Sequence, residues 1–386
     1  MKKLLLILTL TFLTSLLFTT KAHAIEYPLN KPNNKIGIHI LFDHELIPAA
    51  KLINSNGGDW GYVTIPIQAG DKDRVKWQKF MDTAKQYHVI PIVRLATEGD
   101  YFNNQVWRKP TSYDVIDFAN FLNSLDWPVK NRYVIMFNEV NRADEWGGEA
   151  NPAEYAELLS FAVTTFKSKT PDFFVISAGL DNAAPSQIPK FYNQYDYLRK
   201  MDAAVPGIFT QIDGLSSHSY PNPGFAQAPN TTSLMGVGSF FHEKQLTKTL
   251  SRKDLPVFIT ETGWSSEAVS DNLQLTYYEQ TLDTIWNDDS IVAITPFLLQ
   301  GSGGPFQKFS LTDASGNFSK IYSLIQNLAK IKGLPTLPAS VLAAETSNPA
   351  TNPNPPIRHF TTKKNPYPDV PVDAVILYSY KWLMHL

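Results

Sequence analysis

From Lys35 onward, short apolar runs alternate with stretches in which apolar residues recur at helical spacing. The runs at 36–41, 60–67, 89–95, 133–137, 173–179, 214–220, 255–261 and 291–299 are rich in Val, Ile, Phe and Tyr and read as strands. Between and after them, 45–52, 73–87, 113–122, 151–167, 189–201, 240–250, 273–286 and 318–331 read as helices. In the second helix Trp77, Phe80, Met81 and Ala84 share one face. The fourth opens with good start chemistry: Asn151 as cap, Pro152 at the first helical position, Glu154 three residues past the cap. Several strands are continuous apolar runs, as a sheet covered on both faces requires. Eight strand–helix units over roughly 300 residues predict an α/β fold, a single (β/α)8 TIM barrel. An open doubly wound sheet would alternate as well, but no Gly-x-Gly-x-x-Gly follows any strand, so a dinucleotide fold has no support.

The ends of the chain differ in character. Lys2-Lys3, the apolar run 4–18 and Ala22-His23-Ala24 form a signal-peptide pattern with cleavage before Ile25, so a secreted protein is expected. The barrel is expected over 25–333. Residues 334–356, rich in Pro, Thr and Asn, read as a linker. Residues 357–386 are too few for a second core and form a tail of unassigned role, suited at most to cell-surface attachment. The chain has no cysteine, which excludes disulfides, thiol nucleophiles and cysteine-based zinc sites. Its net charge of -2 argues against nucleic acid as a partner. With histidines scattered, no metal or other cofactor is expected, and the chain is expected to be a monomer.

Two strands end in a carboxylate. Tyr133-Val134-Ile135-Met136-Phe137 runs into Asn138-Glu139, and Val257-Phe258-Ile259-Thr260 into Glu261. A carboxylate at the end of an apolar strand sits at the rim of a core, partly desolvated, a position suited to acid/base work. At one mouth of a barrel, two such groups are what glycosidic bond hydrolysis needs: one protonates the departing oxygen and the other attacks the anomeric carbon or activates water. Asn138 is placed to reach a sugar hydroxyl. His218 and Tyr220, two apart and so on one strand face, are placed to orient the second carboxylate. Arg94 is either a cation for a catalytic carboxylate or an ion-pair partner of Glu98 or Asp100. His39 either lines the cleft or closes the barrel. Trp60, Trp107, Trp146 and Trp264 are candidates for stacking on sugar faces, and otherwise pack within the protein.

Phe137-Asn138-Glu139, His218-Ser219-Tyr220 and Ile259-Thr260-Glu261-Thr262-Gly263-Trp264, in this order, resemble the strand-four, strand-six and strand-seven signatures of the clan A glycoside hydrolases. Within the clan, the first motif looks like families 5 and 39, and Glu-Thr-Gly-Trp is similar to families 17 and 53. The resemblance covers the barrel and not the tail. It implies Glu139 as acid/base, Glu261 as nucleophile, Asn138 as ligand of the 2-hydroxyl, retention of anomeric configuration, and a poly- or oligosaccharide substrate. One departure stands out. Strand eight carries Thr295-Pro296-Phe297 with no tryptophan, so Phe297 or Phe306 is expected to floor the cleavage subsite. The alternatives are a non-catalytic carbohydrate-binding barrel, and a transglycosylase using the same residues.

Overall fold

A computed structural model of the chain describes residues 25–98, 106–301, 306–313 and 315–339. The predicted leader, and the tail with most of the linker before it, lie outside the described residues. The elements alternate as expected: β1 (Gly37–His39), α1 (Leu46–Ile53), β2 (Gly61–Gln68), α2 (Arg74–Gln86), β3 (Val89–Ala96), α3 (Ser112–Asn123), β4 (Arg132–Ile135), α4 (Pro152–Lys169), β5 (Phe173–Ile176), α5 (Gln194–Ala204), the single turn α6 (Ile208–Gln211), β6 (Leu215–His218), α7 (Ser239–Ser251), β7 (Val257–Glu261), α8 (Asp271–Asp283), β8 (Ile291–Ile294) and α9 (Lys320–Asn327). No helix among the described residues is long and apolar enough to cross a membrane.

The strands are parallel and pair in sequence order as two ladders, β1 to β5 and β6 to β8. Isolated parallel bridges join the ladders at both seams, Ile176 to Gly214 and Ile36 to Ile294, the second carried by Ile294 N–H to Lys35 O at 2.8 Å. The fold is a (β/α)8 barrel.

Side-chain alternation divides each strand between two environments. Val63, Val93, Val134, Val175 and Ile259 face the helices and pack with Trp77, Phe80, Phe118 and Leu159. Tyr62, Ile90, Ile92, Tyr133, Ile135, Phe174, Ile176 and Phe258 fill the lower interior. Leu334 N–H bonds Pro32 O, Lys130 N–H bonds Thr336 O, and Leu337 packs under that interior, so the first residues of the predicted linker lie against the barrel's lower end.

Several expected elements come out shorter, two of them with a visible cause. The helix expected over 189–201 begins only at Gln194, capped by Asn193. Pro189 O and Lys190 O accept from Ala150 and Ala143, so this stretch is held by the loop after β4 instead of coiling. The run 291–299 leaves the ladder after Ile294, because Phe297 N–H turns to Thr262 O and Leu299 N–H to His39 O, carrying the chain across the barrel mouth.

Candidate active site

The polar residues of the barrel interior gather at the C-terminal ends of the strands, the end where barrels carry their sites. Arg94 follows Ile90 and Ile92 on the inner face of β3 and is 7% exposed. One guanidinium nitrogen, Nη1, donates to Glu261 Oε1 at 2.7 Å and to Asn138 Oδ1. Arg94 is therefore the cation for Glu261. Of its other expected partners, Glu98 pairs instead with Arg108 at 2.8 Å, and Asp100 lies outside the described residues. A guanidinium cannot accept, so Asn138 must turn its oxygen toward Arg94 and leave its amide nitrogen for another acceptor.

Glu139 and Glu261 meet. Each has a carboxylate oxygen within 4.8 Å of the other's, with His218 between them. His218 Nδ1 lies 3.0 Å from Glu139 Oε1 and 3.7 Å from Glu261 Oε2. Tyr220 donates its hydroxyl to Glu261 Oε2 at 3.0 Å. Glu261 thus receives one charge-assisted hydrogen bond on each oxygen, from Arg94 and from Tyr220, and is fixed in orientation. Its side chain is 9% exposed against 17% for Glu139, so Glu139 is the carboxylate that solvent reaches more easily. Arg94 is the cation on Glu261, while Arg142 Nε lies 3.9 Å from Glu139 Oε2.

The imidazoles divide by surroundings. Burial works against the His218 imidazolium, but the Glu261 and Glu139 carboxylates outweigh it and raise its pKa. Burial, with Arg94 and His218 nearby, holds His39 well below the ordinary imidazole value. His39 is fully buried at the end of β1, with Nε2 3.6 Å from Glu261 Oε1 and its ring edge-on to Phe297. It backs the pair from inside the barrel and does not line an open cleft. Burial and the Glu261 charge push the Tyr220 hydroxyl well above 10, so it is a donor at any working pH.

Local backbone features deliver the two carboxylates. Phe137 and Glu139 take φ values of +72° and +34°, left-handed conformations uncommon for side chains of this size. They are held by Glu139 N–H to Gly179 O at 2.9 Å and by Tyr155, whose hydroxyl donates to Met136 O and accepts from Ala178 N–H. Gly179 is required where it stands, since a Cβ there would collide with Cδ2 and Nε2 of His218. On β7, simple alternation would put Glu261 with Val257 and Ile259 on the helix-facing side. The register against β6 shifts, Ser217 opposite Ile259 but His218 opposite Glu261, and the bulge at Thr260 turns Glu261 inward.

The aromatic expectations need correction. Trp146 and Trp264 are each 1% exposed. Trp146 packs edge-on to Phe137 and Tyr155, and Trp264 packs on Tyr277, Tyr278 and Trp286 while donating to Gln227 O. Their faces are taken by protein, so neither is placed to stack on a sugar. Trp60 is at the start of β2, at the opposite end of the barrel, against His88, and Trp107 is buried. Phe297 is 5% exposed and belongs to an aromatic lip with Leu41, Tyr220 and Phe309, edged by the half-buried Phe42, Phe225 and Phe306. It supports the mouth from beneath, while Phe42 stacks on His44 and Lys308 lies over the Phe225 ring.

The opposite rim is charged. Arg142 holds Asp144 through two hydrogen bonds and Asp181 through a third at 2.9 Å. Glu145, next in the loop, has no side-chain partner among the described residues; burial and the Glu139 charge push its carboxyl up to about 8. Sequence reasoning missed Tyr155, Gly179, Asp181 and Glu145 as site residues. Only the adjacency of Asp144-Glu145 to the Glu139 strand hinted at this rim.

No protein-family model and no curated protein matches the chain. Solved structures of glycoside hydrolases are similar to it in fold, the (β/α)8 barrel. A family 39 glycoside hydrolase from the gut symbiont Bacteroides cellulosilyticus WH2 aligns at a TM-score of 0.54 and 17% identity, over 79% of this chain and 65% of that one. This chain thus spans just under two thirds of that protein. A family 39 β-xylosidase from Caulobacter crescentus aligns at 0.57 and 14%, over 79% and 72%. The catalytic domain of a mannanase from Streptomyces sp. SirexAA-E aligns at 0.50 and 12%, over 81% and 93%.

Proposed function

We propose that the protein is a secreted retaining glycoside hydrolase acting on a poly- or oligosaccharide. The observation that carries the reading is the approach of the Glu139 and Glu261 carboxylates to within 4.8 Å, with different partners on each. Carboxyl groups about 5–5.5 Å apart suit covalent attack, whereas inverting pairs stand about 6.5–9.5 Å apart to admit a water. In this reading Glu139 protonates the glycosidic oxygen as Glu261 attacks the anomeric carbon, breaking the bond to the leaving sugar and forming a glycosyl-enzyme. Glu139 then takes a proton from water, which displaces Glu261 and releases the sugar. The Asn138 amide donates to the 2-hydroxyl, while the Arg94 and Tyr220 bonds keep the attacking oxygens aimed. The half-buried Phe306, edge-on to Phe297, offers its ring to the sugar chain.

The test is a panel of aryl glycosides and soluble polysaccharides, followed by Glu261→Ala on whichever is cleaved. Turnover should vanish and return in part with azide, giving a glycosyl azide of inverted configuration. Unimpaired turnover in that variant discards the mechanism. Binding without cleavage across the panel favours a carbohydrate-binding barrel, and sugar transfer to an added acceptor favours a transglycosylase. Secretion is tested separately, by finding Ile25 as the N-terminus of exported protein.

A further inference from the structure

Strand β6 and the two residues after it supply both side chains that bond the carboxylates, and their back is built unlike the other strands. The inner positions are Ser216, His218 and Tyr220. The outer positions beyond Leu215 are Ser217 and Ser219, where the equivalent faces of β4, β5 and β7 carry Val134, Val175 and Ile259. The helix behind it, α7, matches this with Ser239, Glu243 and Thr247, all buried.

These groups form one connected set. Ser217 Oγ donates to Glu243 Oε1 at 2.8 Å and lies 2.8 Å from Ser219 Oγ. Ser239 Oγ donates to Ser219 Oγ at 3.2 Å. Asn182 Nδ2 donates to Tyr220 O at 2.9 Å and receives Asn222 Nδ2 on its own oxygen at 2.8 Å. From the β7 side, Thr262 Oγ1 donates to Ser219 O at 2.7 Å. The segment 217–222 is gripped from behind by a carboxyl, hydroxyls and amides, while His218 and Tyr220 reach forward to Glu139 and Glu261.

A buried carboxyl is an expensive way to hold a helix on a strand; burial pushes Glu243 up to about 7. An apolar side chain would pack α7 on β6 without that penalty. We propose that Glu243, acting through Ser217, is a positioning residue that sets where His218 and Tyr220 stand against the two carboxylates. Hydrogen bonds are directional where apolar packing is not, so this network fixes the rotation and height of β6 at the mouth. For its effect on turnover the inference rests on the glycosidase reading; for its effect on His218 it does not.

The experiment therefore uses both readouts on the full secreted chain. With histidine labelled by 13C at the ring, the His218 resonance is identified by its loss in His218→Asn and titrated by NMR. The groups that set its midpoint are Glu139, Glu261 and Arg94, with His39 beside it and Glu243 acting on it from behind. In the wild type it should titrate above an ordinary histidine, and Glu243→Gln, which keeps an acceptor for Ser217, measures the effect of losing the charge alone and is the baseline for Glu243→Leu. Ser217→Ala and Glu243→Leu should lower the midpoint by at least about half a pH unit, a threefold change in proton affinity. On a cleaved aryl glycoside, the same two variants should lose about tenfold in kcat with KM little changed. If Glu243→Leu does not fold, Ser217→Ala, which removes one oxygen, carries the test alone. A His218 midpoint unmoved in Ser217→Ala overturns the proposal. A moved midpoint in a protein that cleaves no glycoside upholds the positioning and sinks the glycosidase reading instead.

Discussion

The lower and upper halves of the barrel interior are built from the same strands and the same two-residue alternation, yet they serve opposite ends. Below, Tyr133, Phe174 and Phe258 pack ring against ring at 4.9–5.6 Å, with Ile90, Ile92 and Ile176 filling between them. Above, the same inner faces carry Arg94, His218 and Tyr220, with Glu139 and Glu261 brought to them by a kinked strand end and a bulge. The lower half gains from each apolar atom removed from water. The upper half confines charges that must be paired, and it depends on the lower half for rigidity. Stability and chemistry are thus separated by about two residues along each strand, which explains how charged groups persist inside a chain with no cysteine to staple it.

That separation sets the expected effects of substitution. Glu261→Gln, which keeps an acceptor for Arg94 but removes the attacking carboxylate, should lower turnover of any cleaved glycoside on the order of 10^4-fold or more, and thermal unfolding should show little loss of stability. Phe174→Ala, fully within the lower interior, should do the reverse. Denaturant titration should show a loss of about 3–5 kcal/mol, with turnover per folded molecule nearly unchanged. A large activity loss in correctly folded Phe174→Ala would mean that the two halves are not separable.

Tyr220→Phe removes one hydrogen bond to the charged Glu261 and leaves the ring in place. Its loss should be about 10–100-fold in kcat, from about 1.5–3 kcal/mol, read by steady-state kinetics.

Glu45 sharpens the comparison from the stability side. It lies buried beneath the loop after β1, with Oε2 accepting from the Leu41 and Phe42 N–H groups and Oε1 without a partner among the described residues. Burial pushes its carboxyl up to about 7, from an ordinary 4.5. A carboxyl raised on folding is fully stabilising below its unfolded value, and that contribution drains away as pH rises through 4.5 toward 7. Glu45→Gln keeps an acceptor and cannot ionise, so it should flatten the fall in unfolding stability between pH 5 and 7 by about 1–2 kcal/mol. Denaturant titration at the two pH values checks this, and an unchanged slope would show that the Glu45 carboxyl is not raised on folding.

Local pattern carried much of this protein. The eight strand–helix units follow from periodicity, and both carboxylates were legible because polar residues break abruptly into apolar runs at Asn138-Glu139 and Glu261. Alternation along one strand was enough to put Arg94 with Ile90 and Ile92, and His218 with Tyr220. What periodicity lacked was anything that depends on a neighbour. The bulge at Thr260 that turns Glu261 inward is a register relation between β6 and β7, and the left-handed turns at Phe137 and Glu139 are held by bonds from β5 and α4. Trp146 and Trp264 read as ligand platforms in the chain and are covered in the fold, because whether a ring has a free face is decided by what folds over it. Glu243 shows no local mark of its place behind His218, since its meaning comes from a strand packed against its helix and not from the residues beside it.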